Sequence, residues 1–404
     1  MRPLHLQDEQ INSSKTDQIK KSIFSYLISK ESCSLSDLGR TMNLSIPTVT
    51  KIIGQLMQDG FVVELGKKET AGGRRPNIYG INPNAGYFIG VDIRRFRIDF
   101  ALINLQGDLI GETVSKDFVY QNTKENFDQL CDLIDEFINS IDISRTKLLG
   151  GGINICNRVN KKTGEAYNFY TAEEEPTLTE RFKKRLNIDI YLDNDSRSML
   201  YAEFMKGIAK NAQNVLYVNV DWGVGLGILI NGQLYYGKSG FSGEFGHIHA
   251  TDNGVVCQCG KRGCLETIAS GTYMNKKFME KISNNYSSIL TKKIQQGDTI
   301  TQNDIIEAAL EDDVLSIELI EEIGTNLGTN IAGLINLFNP EMIIIGGGLS
   351  KAGDYLILPI KSAIKKYAAN LVSSDTIITQ GQLGSTVGVI GACLLSRSKS
   401  LGLL

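Results

Sequence analysis

Gly243-Glu-Phe-Gly-His247, followed by Cys257-Gln-Cys-Gly-Lys-Arg-Gly-Cys-Leu-Glu266, gathers three of the chain's seven cysteines into eight residues just downstream of a histidine. A soft cation takes thiolate and imidazole donors at tetrahedral angles. A short Gly-rich loop can fold three thiolates about one point while a histidine arrives from a neighbouring turn. The competing reading is a disulfide between two of the three cysteines. Cys33, Cys131, Cys156 and Cys393 are scattered singly with no framework of paired spacings, which favours zinc held by His247, Cys257, Cys259 and Cys264. Four protein ligands close the coordination shell, so such a zinc is structural and does not activate water. Glu244 and Glu266 frame the cluster and place hydrogen-bonding carboxylates for a polar ligand beside it.

A chain of 404 residues corresponds to two or three domains at roughly 150 residues each, and 42% hydrophobic residues are ample for a buried core. The longest apolar runs, such as 342–345, fall far short of the ~20 residues a membrane span needs. The first residues include Asp8 and Glu9 in place of an apolar export segment. A cytoplasmic protein with no membrane partner is expected. The net charge is −3, yet residues 1–84 hold 11 Lys/Arg against 8 Asp/Glu, leaving 31 against 37 for the remainder. The N-terminal part is therefore the one suited to a polyanion.

That part has its own organisation. Ile19, Ile23 and Leu27 recur at four-residue steps and predict a helix over 17–29; Leu35 and Leu38 mark a second, opened by Ser34 or Ser36. Ser45 is a good N-cap and Pro47 is tolerated in a first turn. Val49, Ile52, Ile53 and Leu56 then repeat at helical spacing until Gly60 ends the third helix. Its other face offers Thr48, Thr50, Lys51 and Gln55, donors and acceptors suited to phosphates and base edges in a major groove. Apolar runs at 61–63 and 78–81 predict a hairpin whose tip carries Lys67, Lys68, Arg74 and Arg75, and Gly72-Gly-Arg-Arg-Pro76 suits a minor groove. Residues 1–16 then read as a mobile tail and 17–84 as a winged helix-turn-helix domain for operator DNA. A three-helix protein-interaction module with a solvated loop is the competing reading; the agreement of charge sign, helix face and wing favours DNA.

From Gly86 the pattern becomes α/β. Runs at 87–92, 97–104 and 109–118 predict a three-strand meander, followed by a helix over 125–141 and a buried strand over 148–155. The pattern recurs with strands at 215–221, 224–230 and 233–236, the second turn being Asn231-Gly232. A helix over 322–339, a strand over 342–345 and a helix over 355–369 follow. Two similar lobes are expected, the first spanning 85–196 and 388–404, the second 197–387 with the cysteine loop. The polar stretch 284–303 reads as a loop or a helical excursion.

On Asn194-Asp195, Gly223-Val-Gly-Leu-Gly227, the two stretches quoted at the outset and Gly346-Gly-Gly348, the chain from Gly86 onward resembles the ROK family, which contains sugar kinases and sugar-responsive transcription regulators. The winged helix ahead of it matches the regulators' extra domain. The resemblance implies a two-lobed, actin-like ATPase (ribonuclease H-like) fold with a hexose pocket in the interlobe cleft and zinc ordering the loop that carries sugar-binding carboxylates. Position by position, it implies that Asp195 is the base a kinase would use on a sugar hydroxyl, and that Asn194, Glu244, His247 and Glu266 are sugar contacts, with Asn168 a further one. Carboxylates accept hydrogen bonds from vicinal hydroxyls, and a metal-bound imidazole offers its second nitrogen as a donor.

The departures from the kinase pattern decide the functional reading. ROK kinases open with Asp-x-Gly-Gly-Thr, whose glycines let backbone N–H groups approach ATP phosphates; this chain has Asp92-Ile-Arg-Arg-Phe96, with Arg94 and Arg95 in the nucleotide's path. Val224 replaces a threonine, and Cys156-Asn157 replaces a Pro-Gly. Asp92, Arg94, Gly223, Gly225 and Gly347 thus mark a degenerate nucleotide site. The expected function is a sugar-responsive transcription regulator, a repressor relieved by a monosaccharide or sugar phosphate, acting as a homodimer or higher oligomer on two half-sites. The alternatives are an ATP-dependent hexose kinase with an appended DNA-binding domain, and a sugar-binding interaction protein.

Overall fold

Residues 15–67, 75–160, 163–167, 169–170 and 176–404 are described by a computed structural model of the chain. The chain divides into two compact units, one of Met1–Ile155, Asn168–Asp193 and Ala392–Leu404, the other of Cys156–Tyr167 and Asn194–Gly391.

The first unit opens with helices Lys15–Lys30, Leu35–Met42 and Ile46–Gln58. Their starts follow from local chemistry: the Ser34 hydroxyl accepts from Asp37 N–H at 3.1 Å and the Ser45 hydroxyl from Thr48 N–H at 3.4 Å, satisfying donors that a helix's first turn leaves unpaired. Ile23, Phe24, Leu27, Leu38, Val49, Ile52, Ile53, Leu56 and Phe61 are buried together, the stripe read from spacing. Strands Val62–Lys67 and Asn77–Ile81 pair antiparallel as the expected hairpin, with a register shift between Glu64 and Gly66. A third strand, Ser32–Ser34, pairs with Asn77–Ile81. Serines have low strand propensity, so nothing in the sequence marked this strand. The expected tail to residue 16 gives way to helix at Lys15, and its first fourteen residues lie outside the described ones.

Strands Tyr87–Ile93, Arg97–Asn104, Val114–Asp117, Leu148–Ile155 and Ile190–Asn194 form one five-stranded sheet in which the first strand is central, flanked by the second and third on one side and the fourth and fifth on the other. The first two are antiparallel, and the fourth is parallel to the first. In the second unit Val215–Val220, Val224–Ile230, Gln233–Leu234, Met342–Gly346 and Ile377–Gln380 repeat the same order, again with the first two antiparallel and the fourth parallel to the first. The duplication read from sequence is thus a duplicated sheet topology, the actin-like arrangement. The Asn231-Gly232 turn has both residues at positive φ, 52° and 72°, the twist a two-residue hairpin requires.

The second unit's core lies between its sheet and the parallel pair of helices Val314–Phe338 and Asp354–Tyr367. Gly324 and Gly328 let these helices touch, since a Cβ at Gly328 would lie 2.5 Å from the Ile360 carbonyl oxygen. The long helix starts eight residues before the expected 322, because Asp313 caps it through Ser316 N–H at 3.1 Å. The stretch 284–303 holds a short helix, Thr291–Gln295, and the start of Gln302–Leu310. Among the described residues, no helix is long and apolar enough to cross a membrane.

Candidate metal and ligand site

Strand Val224–Ile230 is the floor on which the site is assembled. A Cβ at Gly225 would lie 2.2 Å from the Ser196 hydroxyl, so helix Asp195–Lys206 comes in directly over that residue. Gly243 and Gly246 lie flat on the same strand, where Cβ atoms would meet the carbonyl oxygens of Leu226 at 2.0 Å and Val224 at 2.3 Å. Gly243 also has φ +89°, a conformation other residues rarely adopt. A Cβ at Gly223 would lie 3.3 Å from Glu266 Oε2. One strand end therefore collects Asp195, the Glu244–His247 turn and Glu266.

His247, Cys257, Cys259 and Cys264 place their ligand atoms within 4.8 Å of one another. Cys259 Sγ lies 3.6 Å from Cys264 Sγ, and Cys257 Sγ lies 3.5 Å from His247 Nδ1. Zinc at ~2.3 Å from sulfur and ~2.0 Å from nitrogen, with tetrahedral angles, sets ligand atoms about 3.5–3.8 Å apart. The spacing fits, and all seven cysteines are free thiols, so the disulfide reading has no counterpart. Burial pushes the Cys257 thiol far up, aided by Glu266 beside it, and raises Cys264. At Cys259 burial also acts upward but is outweighed by the Lys261 N–H and the neighbouring thiols, which lower it. Gly263, at φ +72°, lets the loop turn against the Thr251 carbonyl.

The carboxylates are tied to this cluster. Cys257 Sγ donates to Glu266 Oε1 at 2.8 Å, and His247 presents Nε2 3.8 Å from Glu244 Oε2 while Nδ1 faces the thiols. Asn194 caps helix Asp195–Lys206 by accepting from Ser196 N–H, and its amide donates to the Asn157 carbonyl at 3.5 Å. Asp195 accepts from Ser196 N–H at 2.7 Å and from Asn219 Nδ2 at 3.3 Å. Asn168 lies outside the described residues.

In the first unit, the segment Asp92–Phe96 read as a degenerate phosphate loop is closed by its own side chains. Arg94 turns inward: its Nε lies 2.9 Å from Asp92 Oδ2 and 2.9 Å from Asp99 Oδ2, two carboxylates almost completely buried. Asn154 donates to the other Asp92 oxygen at 3.1 Å. Arg95 instead lies over the exposed Phe96 ring. In the second unit Gly347, at φ +85°, packs on the Val220 carbonyl, and Gly348 N–H donates to Asp221 Oδ2 at 3.3 Å. Packing thus accounts for Gly225 and Gly347 without any nucleotide.

Of the residues expected to face DNA, Thr50, Lys51, Lys67 and Arg75 are exposed and Thr48 is half-buried, its hydroxyl 2.8 Å from that of Ser45. Gln55 turns its amide oxygen inward, where it has no hydrogen-bond partner. Lys68 and Arg74 lie outside the described residues. Sequence reasoning missed Gly54, on the open face of Ile46–Gln58 beside Lys51, where a Cβ would meet nothing within 4 Å. Gly54→Ala is expected to stabilise the domain by up to about 1 kcal/mol, seen as a higher melting temperature; a fall would contradict the open face. Sequence reasoning also missed Arg158, Asn219 and Asp221, lone polar residues belonging to no spaced motif.

A family model described as ROK family matches residues 88–399, and a winged helix-turn-helix DNA-binding model matches residues 16–63. The chain is 26% identical to a xylose repressor of Bacillus subtilis over 92% of this chain and 93% of that protein. It is 30% identical to a glucokinase of Halalkalibacterium halodurans over 78% of this chain and 96% of that one. A crystal structure of a ROK family transcriptional regulator, a homolog of the Escherichia coli MLC protein, superposes with a TM-score of 0.79 at 25% identity, covering 95% of this chain and 96% of that one.

Proposed function

The chain belongs to the ROK family, and from that membership we propose that it is a sugar-responsive transcription regulator, a repressor, and not a sugar kinase. The winged helix binds operator DNA through Thr48, Thr50, Lys51 and Gln55 on the third helix and Lys67, Lys68, Arg74 and Arg75 on the wing. A monosaccharide or sugar phosphate binds against the second unit through Asn194, Asp195, Glu244, His247 and Glu266, with Asn168 contributing. A structural zinc on His247, Cys257, Cys259 and Cys264 would hold Glu266 and His247 in place; bound there, it supplies rigidity and no chemistry on the ligand.

The observation that carries this reading is Arg94, whose guanidinium already pairs with both Asp92 and Asp99 where the kinases of the family keep glycine for phosphate. The xylose repressor similar over nine-tenths of the chain supports it, as does the winged helix-turn-helix match, while the glucokinase match covers 78% of the chain. The kinase alternative rests on Asp195, held as an acceptor by Ser196 and Asn219. Coupled ADP release with glucose, N-acetylglucosamine, fructose, mannose and xylose is expected to stay at background. Turnover abolished by Asp195→Asn would overturn the regulator reading.

Lobe boundaries near 196 and 387 and a winged-helix domain over 17–84 belong to the same proposal. Two recognition helices reading two half-sites call for a symmetric homodimer or higher oligomer. A sugar alters DNA affinity only by binding one conformation better than another, and such couplings are typically ~1–3 kcal/mol.

A further inference from the structure

Arg158 stands beside a carboxylate proposed above as a sugar contact. Its Nε and Nη2 both lie on Glu244 Oε2, at 2.8 and 2.7 Å. Both side chains are more than a third exposed, at 40% and 37%. A pair this wet adds little to stability, so holding the fold together does not account for the guanidinium. The chain fixes its place nonetheless. The Arg158 carbonyl accepts from Tyr167 N–H at 2.9 Å, closing the two-stranded hairpin Val159–Asn160 and Glu165–Ala166. The Tyr167 ring meets Phe241 edge-on at 5.4 Å.

Phe241 belongs to a second feature, a cavity of about 430 Å³ lined by Tyr235, Lys238, Ser239, Phe241, Ser242 and Gly243. It ends at the residue before Glu244. A lysine and two hydroxyls line it, so a second cation, Lys238, borders the pocket that reaches Gly243. A planar guanidinium presents a fork that matches a carboxylate or phosphate, and Glu244 here fills that fork with one oxygen.

Resting on the sugar-binding reading above, we infer that the sugar this site takes carries an anionic group, a carboxylate or a phosphate, and that Arg158 receives it with Lys238 alongside. Glu244 holds the guanidinium until the ligand arrives. The arginine then serves the ligand's anion, and Glu244 accepts from the ligand's hydroxyls.

The test is calorimetric titration of the full-length protein with glucose, galactose, mannose and N-acetylglucosamine, each neutral sugar beside its 6-phosphate and, for the hexoses, its uronate. At least one anionic sugar is expected to bind about tenfold or more tightly than its neutral parent. The uronate and phosphate arms separate the two sources of charge. In Arg158→Gln that ratio is expected to fall to near one, with Arg158→Lys intermediate, while the melting temperature stays within a degree or so because the pair is exposed. Neutral sugars binding as tightly as their anionic forms would overturn this inference and leave the sugar-binding reading standing. So would an unchanged ratio in Arg158→Gln, which would make Arg158 a positioning residue for Glu244. Binding of no member of the panel would remove both.

Discussion

Replacing Cys264 with serine is expected to strip the metal and to lower the melting temperature of the chain by roughly 10 °C. A structural zinc contributes its binding energy to folding, and losing one thiolate ligand should cost on the order of 3–5 kcal/mol, with ~2–4 °C per kcal/mol in a unit of this size. The cause is local: Cys264 is buried, its Sγ lies 3.6 Å from that of Cys259, and its backbone bridges to His249. Elemental analysis of the purified wild-type chain should give one zinc per chain, and the variant should hold less than a tenth of that. Sugar affinity should fall with it, because Glu266 follows the ligand Cys264 by two residues in the same loop and His247, itself a ligand, faces Glu244. A wild-type chain without metal, with a melting temperature indifferent to a chelator, would reduce the cluster to three packed thiols and a histidine.

Arg94→Ala is the second large effect. Asp92 is 1% exposed and Asp99 4%, and the variant leaves Asp92 without its guanidinium while Asp99 keeps the Ser115 hydroxyl and, as its cation, Arg97, at 3.3 Å and itself 40% exposed. Removing one partner from a buried ion pair costs about 3–5 kcal/mol because the remaining charge stays desolvated. The remaining Arg97 contact and the 21% exposure of Arg94 place the expected loss near the bottom of that range. Denaturant unfolding with an unchanged slope and a lower midpoint would register it. Arg94→Lys should recover only part, since the lysine nitrogen sits one atom farther along the side chain than the Nε that touches both carboxylates and is the more strongly hydrated cation. A neutral Arg94→Ala would mean that the arginine is a surface ornament and the phosphate loop is open.

Much of this was legible because period and capping agree with tertiary burial. The stripe Val49, Ile52, Ile53 and Leu56 was read from spacing alone and is buried as read, with Ser45 capping its helix. The strand Leu148–Ile155 and the strand Val224–Ile230 have the bounds expected of them, since both are apolar runs closed by turn chemistry. The gathering of His247, Cys257, Cys259 and Cys264 was legible because three of the four crowd into a short loop. Ser32–Ser34 was not, as a polar strand owes its existence to the backbone of Asn77–Ile81 and not to its own side chains. The inward turn of Arg94 toward Asp99 was likewise hidden, because the partner sits on the next strand of the meander and a linear reading showed only a bulky residue in a loop. Arg158 and Glu244 are 86 residues apart, and no local pattern announces such a pair.

The most direct measurement is fluorescence anisotropy of labelled DNA from the gene's own upstream region, titrated with the full-length chain at two salt concentrations, with and without the panel of sugars and sugar phosphates. The account expects salt-sensitive binding that Lys51→Glu abolishes, and one member of the panel that weakens it about 5- to 150-fold, the span of a 1–3 kcal/mol coupling. DNA affinity that no sugar moves, in a chain that binds sugar and releases ADP, would contradict it.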